Sequence, residues 1–213
     1  LGAVGSGAGS VCIYASVTTD LIVDLNGWMA AGFHPLAPVR AADTRPESGI
    51  AMPEDKTPVA ARQVLRLPLA GQFGVPGSAA AVVLNVTAVR PVAAGHLRVF
   101  PCGSALPNAS SVNFAARSVV ANAALARVGD GGEVCVFASA TTDVVVDVAG
   151  WFDAGFTALE PARAADTRAD QPVVRPHGRV PLPLFGDLRV GLENQRTDAA
   201  ERGAAPVAEL GDP

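Results

Sequence analysis

Residues 133–152 read Glu-Val-Cys-Val-Phe-Ala-Ser-Ala-Thr-Thr-Asp-Val-Val-Val-Asp-Val-Ala-Gly-Trp-Phe, and this stretch decides the fold class. Apolar side chains alternate along 133–138 and again along 143–149, and small or polar residues separate the two runs. Alternation with a period of two over such short runs is typical of half-buried β-strands, because successive side chains of a strand point to opposite faces. Two strands joined by a short connection are therefore predicted here.

The same pattern continues upstream of this stretch, and no helical periodicity interrupts it. It predicts further strands over 63–70, 81–88, 97–100, 111–114 and 119–128. About seven short strands punctuated by Gly, Pro and Asn predict an all-β fold, an antiparallel β-sandwich, with a small β-barrel as the alternative. Turn residues at 129–132 and 140–142 further predict that the last three strands form a meander.

The chain also repeats itself. Residues 11–45 match residues 134–168 without a gap, and 22 of the 35 aligned pairs are identical. Self-similarity at a fixed offset is the signature of repeat architectures. The offset predicts closing strands of a partial upstream repeat at 1–32, one complete repeat at 33–152, the opening of a partial downstream repeat at 153–186, and, because charged residues become frequent there, a disordered tail at 187–213.

Net charge excludes two classes of partner. Acidic residues outnumber basic ones 20 to 16, which gives a net charge of −4. A nucleic-acid partner is not expected, because such proteins carry a basic surface, and the same holds for an anionic membrane surface. No apolar run approaches the ~18 residues that a membrane-spanning helix requires, so no membrane span is expected either.

Three cysteines leave one without a partner inside the chain. Cys102 and Cys135 fall in the complete repeat, whereas Cys12 is the counterpart of Cys135 and the chain holds no counterpart of Cys102 for it. We predict a disulfide between Cys102 and Cys135 and an unpaired thiol at Cys12; two buried thiols are the alternative. A disulfide would indicate an oxidising compartment, and hence a secreted or cell-surface protein.

The motifs of common catalytic centres do not occur in the sequence. Its histidines are solitary, and it contains no nucleophile elbow, Walker lysine or His-Glu-x-x-His motif, so neither an enzyme nor a cofactor is expected. Asp143 and Asp147 share one face of a predicted strand. We predict that Asp147 forms a structural ion pair with an arginine such as Arg45. The alternatives are a calcium site at Asp143 and Asp147, or a hydrolase that uses them as its carboxylate pair.

The best candidate for recognition is the loop over 101–110, which is rich in small polar groups and pinned at one end by Cys102. Asn108 and Ser110 in this loop are candidate ligand-binding residues. Trp151 is a third candidate, because its ring can stack on a sugar or cap the core at the end of the last strand.

Several stretches together resemble a known family. They are Pro38-x-Arg40-x-x-Asp43-Thr44-Arg45, the strand at 82–89, the loop at 101–110, and the closing strand at 144–152. In this order they resemble a tandem module of about 120 residues found in secreted and surface proteins of actinobacteria, often beside hydrolase domains. The resemblance implies an extracellular β-rich repeat that has no known catalytic residues.

These observations predict a non-catalytic extracellular repeat module. It binds a glycan or cell-wall polymer, serves in adhesion, or acts as a spacer for a neighbouring domain. One alternative is a polysaccharide hydrolase that uses the carboxylate pair. The other is an assembly subunit that self-associates by strand exchange through exposed strand edges in 1–32 and 153–186.

Overall fold

The computed structural model describes residues 16–18, 31–50, 52 and 56–157. Cys12 and the tail predicted over 187–213 lie outside the described residues, as do most residues of the two flanking copies. The described residues form eight strands: β1 (Phe33–Asp43), β2 (Val64–Pro68), β3 (Ala81–Val89), β4 (Gly95–Pro101), β5 (Val112–Phe114), β6 (Val119–Arg127), β7 (Glu133–Ala138) and β8 (Asp143–Phe152). The described residues include no helix with the length and apolar character needed to cross a membrane.

The strands make two antiparallel sheets of four strands each. The first sheet has the order β1-β8-β3-β6, and the second has the order β2-β7-β4-β5. The two sheets remain separate and do not close into a barrel, which confirms the predicted sandwich over its barrel alternative. The first described strand begins at Phe33 and the last ends at Phe152, which are also the bounds of the predicted complete repeat.

Alternation places the core between the sheets. Val134 and Val136 of β7 point inward from the second sheet, and Val144 and Val146 of β8 point inward from the first; all four are fully buried. Each such side chain contributes about 1.5–3 kcal/mol by leaving water. The period of two in residues 133–149 therefore predicts correctly which side chains fill the core.

The predicted meander is wrong. β7 belongs to the second sheet, whereas β6 and β8 both belong to the first and are separated there by β3. Each of the two connections thus carries the chain from one sheet to the other. Gly131 (φ 69°) and Gly132 (φ 76°) make the first crossing in a 3₁₀ turn, in the left-handed conformation that glycine adopts without strain. Turn residues indicate where the chain bends, but the strand's partner depends on which sheet buries its apolar face.

β1, the edge strand of the first sheet, is not among the strands predicted from alternation. Pro35 and Pro38 interrupt its alternation, and its pairing with β8 shifts register twice, between Pro35 and Val39 and between Arg40 and Ala42. Proline lacks the amide hydrogen that a central strand needs, but an edge strand tolerates it. Two prolines therefore removed the strand signal without preventing the strand.

A bulge in β8 changes which side chains face the core. Opposite β3 the register shifts between Val148 and Gly150, so β8 holds one extra residue there. The shift reverses the alternation, and Trp151 packs against the main core while Phe152 faces outward. A Cβ atom at Gly150 would come within 2.6 Å of the Phe33 ring, so this position needs glycine.

Candidate functional site

The structure pairs Cys102 with Cys135, as predicted. Their sulfur atoms lie 1.98 Å apart, and 33 positions separate them in sequence. The bridge lies on the outer face of the second sheet, where it joins the end of β4 to β7 and packs against Phe100 and Phe137. Both cysteines are almost fully buried, at 1% and 3% exposure.

The loop over 101–110 is anchored at more than its disulfide. The Arg98 guanidinium donates a hydrogen bond from Nη1 to the backbone carbonyl of Pro107, 2.8 Å away, and thereby holds the far half of the loop against the second sheet. Asn108 and Ser110, the two predicted binding residues, are exposed. The anchored loop therefore presents both residues at the border of the sheet's outer face.

Beside this loop lies a cluster that the sequence analysis missed, formed by His96, Arg98 and Phe137. The Arg98 guanidinium carbon lies 5.6 Å from the centre of the partly exposed Phe137 ring, and Arg98 Nε donates to His96 Nε2 at 3.0 Å. These side chains share the outer face because Leu97 and Val99, the alternate residues of β4, point into the core. That alternation was the available signal, and only the pairing of β4 with β7 brings Phe137 to the arginine.

Electrostatics keep this cluster at a single positive charge. Burial lowers the pKa of His96, and the neighbouring Arg98 charge lowers it further. The imidazole is therefore neutral at neutral pH, and its Nε2 lone pair accepts the hydrogen bond from Arg98. Among the residues that the structure describes, no carboxylate lies within 4 Å of the Arg98 guanidinium.

Asp147 has a different partner from the one predicted. Arg40 of β1 donates from Nε to Asp147 Oδ1 at 2.6 Å, whereas Arg45 makes three hydrogen bonds to Asp43, two from its guanidinium and one from its backbone amide. The reason is the register of the edge strand, which sets Arg40 directly opposite Asp147. The hydrogen bonds from Arg45 hold the pKa of the nearly fully buried Asp43 well below its ordinary range. Asp147 therefore forms an ion pair, as predicted, but its partner is Arg40 and not Arg45.

Asp143 and Asp147 do not form a joint site. β8 is regular between them, so at about 3.3 Å per residue their backbones stand about 13 Å apart. Two short carboxylates spaced so far apart along one strand do not converge on one calcium ion. Asp143 instead accepts a hydrogen bond from Thr44 Oγ1 at 3.0 Å and lies 3.9 Å from Arg90. Within the described ranges, no three His, Cys, Asp or Glu side chains come together in a way that could hold a metal ion.

Trp151, the third predicted binding residue, is partly buried at the end of the first sheet. Its ring stacks on the His34 ring, with centres 3.8 Å apart and planes only 8° from parallel. His34 Nε2 in turn lies 3.2 Å from Asp153. The indole also packs against the main core between the sheets, whereas Phe137 packs in a separate cluster on an outer face, so capping describes the position of Trp151 better than a sugar platform.

Comparison of the sequence with known protein families finds no matching family, and comparison with curated proteins finds no match either. The functional interpretation therefore depends on the residues and geometry described above.

Proposed function

We propose that this chain carries a non-catalytic extracellular module that binds a glycan or cell-wall polymer. The binding surface is the outer face of the second sheet around Phe137, together with the adjoining loop over 101–110. A single observation carries the proposal: on one sheet face, a fixed arginine contacts both a partly exposed aromatic ring and a disulfide-anchored polar loop.

The chemistry of this surface suits a saccharide. A sugar ring offers C–H groups on its faces, which pack on an aromatic ring, and hydroxyls at its rim, which need hydrogen-bond partners. Phe137 supplies the first kind of contact. The exposed amide of Asn108, the hydroxyl of Ser110 and the Arg98 guanidinium supply the second.

The disulfide supports an extracellular location. A bridge that links two almost fully buried cysteines forms and persists in oxidising compartments, which supports secretion or display at the cell surface. The resemblance to a module of secreted and surface proteins of actinobacteria agrees with this.

The carboxylates support a non-catalytic role. Asp43 and Asp147, which lie on the outer face of the first sheet, are both held by arginines, and Asp143 accepts a hydrogen bond from Thr44. Paired, hydrogen-bonded carboxylates of this kind stabilise a fold.

A spacer is the second candidate, and the positions at which the chain enters and leaves the described sandwich disfavour it. Phe33 and Phe152 lie opposite each other on neighbouring strands, and Asp153 donates its amide hydrogen to the Gly32 carbonyl at 3.1 Å. The chain thus enters and leaves the sandwich at one end, so a unit adds little length to a chain of domains. Strand exchange would use edges in 1–32 and 153–186, and most of these residues lie outside the part of the chain that the structure describes.

The test is a binding assay with the full oxidised chain against insoluble cell walls, chitin, cellulose and a panel of soluble glycans. We expect retention on at least one polymer and weaker retention after Phe137→Leu, which keeps an apolar side chain beside the disulfide. Leu125→Ala is the matched control, because Leu125 is an apolar residue, 46% exposed, on a strand of the other sheet. A folded, oxidised chain that binds none of these polymers would refute the proposal.

A further inference from the structure

Arg98 differs from the other arginine on the outer face of the second sheet. Arg66, on β2, forms an ion pair with Glu133 of β7. Arg98, on β4, has hydrogen bonds to a neutral imidazole and a backbone carbonyl, and no described carboxylate lies within 4 Å of it. Its positive charge is therefore held in place without an anionic partner from the described part of the chain.

The guanidinium is also preorganised. A guanidinium carries five N–H donors, and the bonds from Nε to His96 and from Nη1 to Pro107 use two of them. The Phe137 ring supports one face of the group. A ligand that binds the remaining donors, including both on Nη2, meets a side chain whose rotamer is already fixed, so little conformational entropy is lost on binding.

These properties point to an anion attached to a ring. A planar guanidinium matches a carboxylate through paired hydrogen bonds, and a fixed cation that no described carboxylate neutralises favours an anion over a neutral group. Phe137 lies 5.6 Å from the guanidinium carbon, so a single sugar residue that carries a carboxylate on its ring can reach both. A polymer with phosphates between its sugars places its charge farther from the ring.

Building on the proposed function, we infer that this face binds a polymer of uronic acids, with a pyranose ring on Phe137 and the ring carboxylate on the free donors of Arg98. His96 acts as a positioning residue, because it orients the guanidinium through Nε. The exposed residues of the loop over 101–110 contact the neighbouring sugar.

The test uses polygalacturonate and its full methyl ester, which share a backbone and differ at the ring carboxyl, where esterification removes the charge and adds a methyl group. Calorimetry measures the binding of each probe to the full oxidised chain. We expect the acid to bind at least about tenfold more tightly than the ester, since one hydrogen bond to a charged group changes a dissociation constant by about tenfold. Raising the salt concentration should narrow this difference.

Variants locate the contact. Arg98→Gln should remove the preference for the acid over the ester. Arg98→Lys should retain only part of that preference, because lysine keeps the positive charge but lacks the planar, forked donors of arginine. Arg66→Gln is the matched control on the same face and should leave the preference unchanged. Without any variant, addition of polygalacturonate should shift the NMR signals of the His96 imidazole.

Each outcome separates the two levels of the argument. Equal binding of acid and ester, or an unchanged preference in Arg98→Gln, would overturn the assignment of Arg98 and leave the proposed function standing. Tighter binding of polyglycerol phosphate than of polygalacturonate would overturn the inference that the ligand carries carboxylates, and would favour a phosphate polymer. A folded chain that binds no polymer at all would overturn both. An unshifted His96 signal at saturating polygalacturonate would place the ligand elsewhere.

Discussion

Removal of the Cys102–Cys135 disulfide should lower the stability of the sandwich by a predictable amount. The bridge closes a loop of 33 positions. On the chain-entropy relation, a loop of that length restricts the unfolded chain by about 12 cal/mol/K, or about 3.7 kcal/mol at 25 °C. The described sandwich runs from Phe33 to Phe152, and a unit of about 120 residues has an unfolding entropy near 250 cal/mol/K, so the midpoint should fall by about 15 °C.

Three samples test this figure by thermal unfolding followed by circular dichroism. They are the oxidised chain, the same chain reduced with a phosphine, and the double variant Cys102→Ala/Cys135→Ala. The reduced chain keeps its sulfur atoms packed against Phe100 and Phe137, whereas the variant loses them and should be about 1 kcal/mol less stable again. A difference between these two samples measures packing, and their shared loss measures the crosslink.

Thiol counting provides the internal control. The denatured but unreduced chain should contain one reactive thiol, that of Cys12, out of its three cysteines. Cys12→Ala should therefore leave the midpoint of the oxidised chain unchanged. Three reactive thiols, or a double variant that melts within about 3 °C of the oxidised parent, would refute the reasoning from loop closure.

Three further predictions concern other parts of the sandwich. Asp43→Asn should lower the free energy of unfolding by about 2–3 kcal/mol at pH 7, because it breaks a charged hydrogen-bond pair at a side chain that is 1% exposed. Since folding lowers the pKa of Asp43, its contribution to stability is present above pH ~4 and is lost as the pH falls. Urea titrations should therefore find a smaller difference in unfolding free energy between variant and parent at pH 3 than at pH 7, and an equal difference at both pH values would contradict the ion pair. Gly129→Ala should lower the free energy of unfolding by about 1–3 kcal/mol, since its Cβ would lie 2.3 Å from the Cys102 backbone. Gly77→Ala is the control and should be close to neutral, because a Cβ there has nothing within 4 Å. Equal midpoints of the two variants in chemical denaturation would argue against the close approach at Gly129. His96 should titrate below the ordinary histidine pKa of about 6.5 in NMR, because burial and a neighbouring guanidinium disfavour its charged form, and a midpoint at or above that value would count against the cluster.

Much of the fold could be predicted from local sequence, and the exceptions share a cause. Alternation along β7 and β8 identifies strands and their buried faces, because it depends only on whether successive side chains meet core or solvent. β1 escapes the same test, since an edge strand accepts prolines that a central strand cannot. The meander fails because a turn sequence specifies a bend and leaves the choice of partner to the sheets.

The candidate site divides in the same way. The disulfide is predictable, because the position of the repeat leaves only one pairing of cysteines within the complete unit. The partner of Asp147 is not, because a register set by two irregularities in β1 places Arg40, rather than Arg45, opposite it. The orientation of Trp151 depends on one extra residue in β8, which reverses the alternation and turns the indole towards the core.

The sequence by itself determined the all-β class, the strands with clear alternation and the pairing of Cys102 with Cys135. Only the tertiary structure decided which charges meet and which side chains share a surface. His96 and Arg98 come from β4 and Phe137 from β7, and their cluster exists because these strands pair at one register. Alternation and spacing are local properties that each segment carries in its own residues, whereas contacts between strands distant in sequence follow from how the whole chain buries its apolar faces.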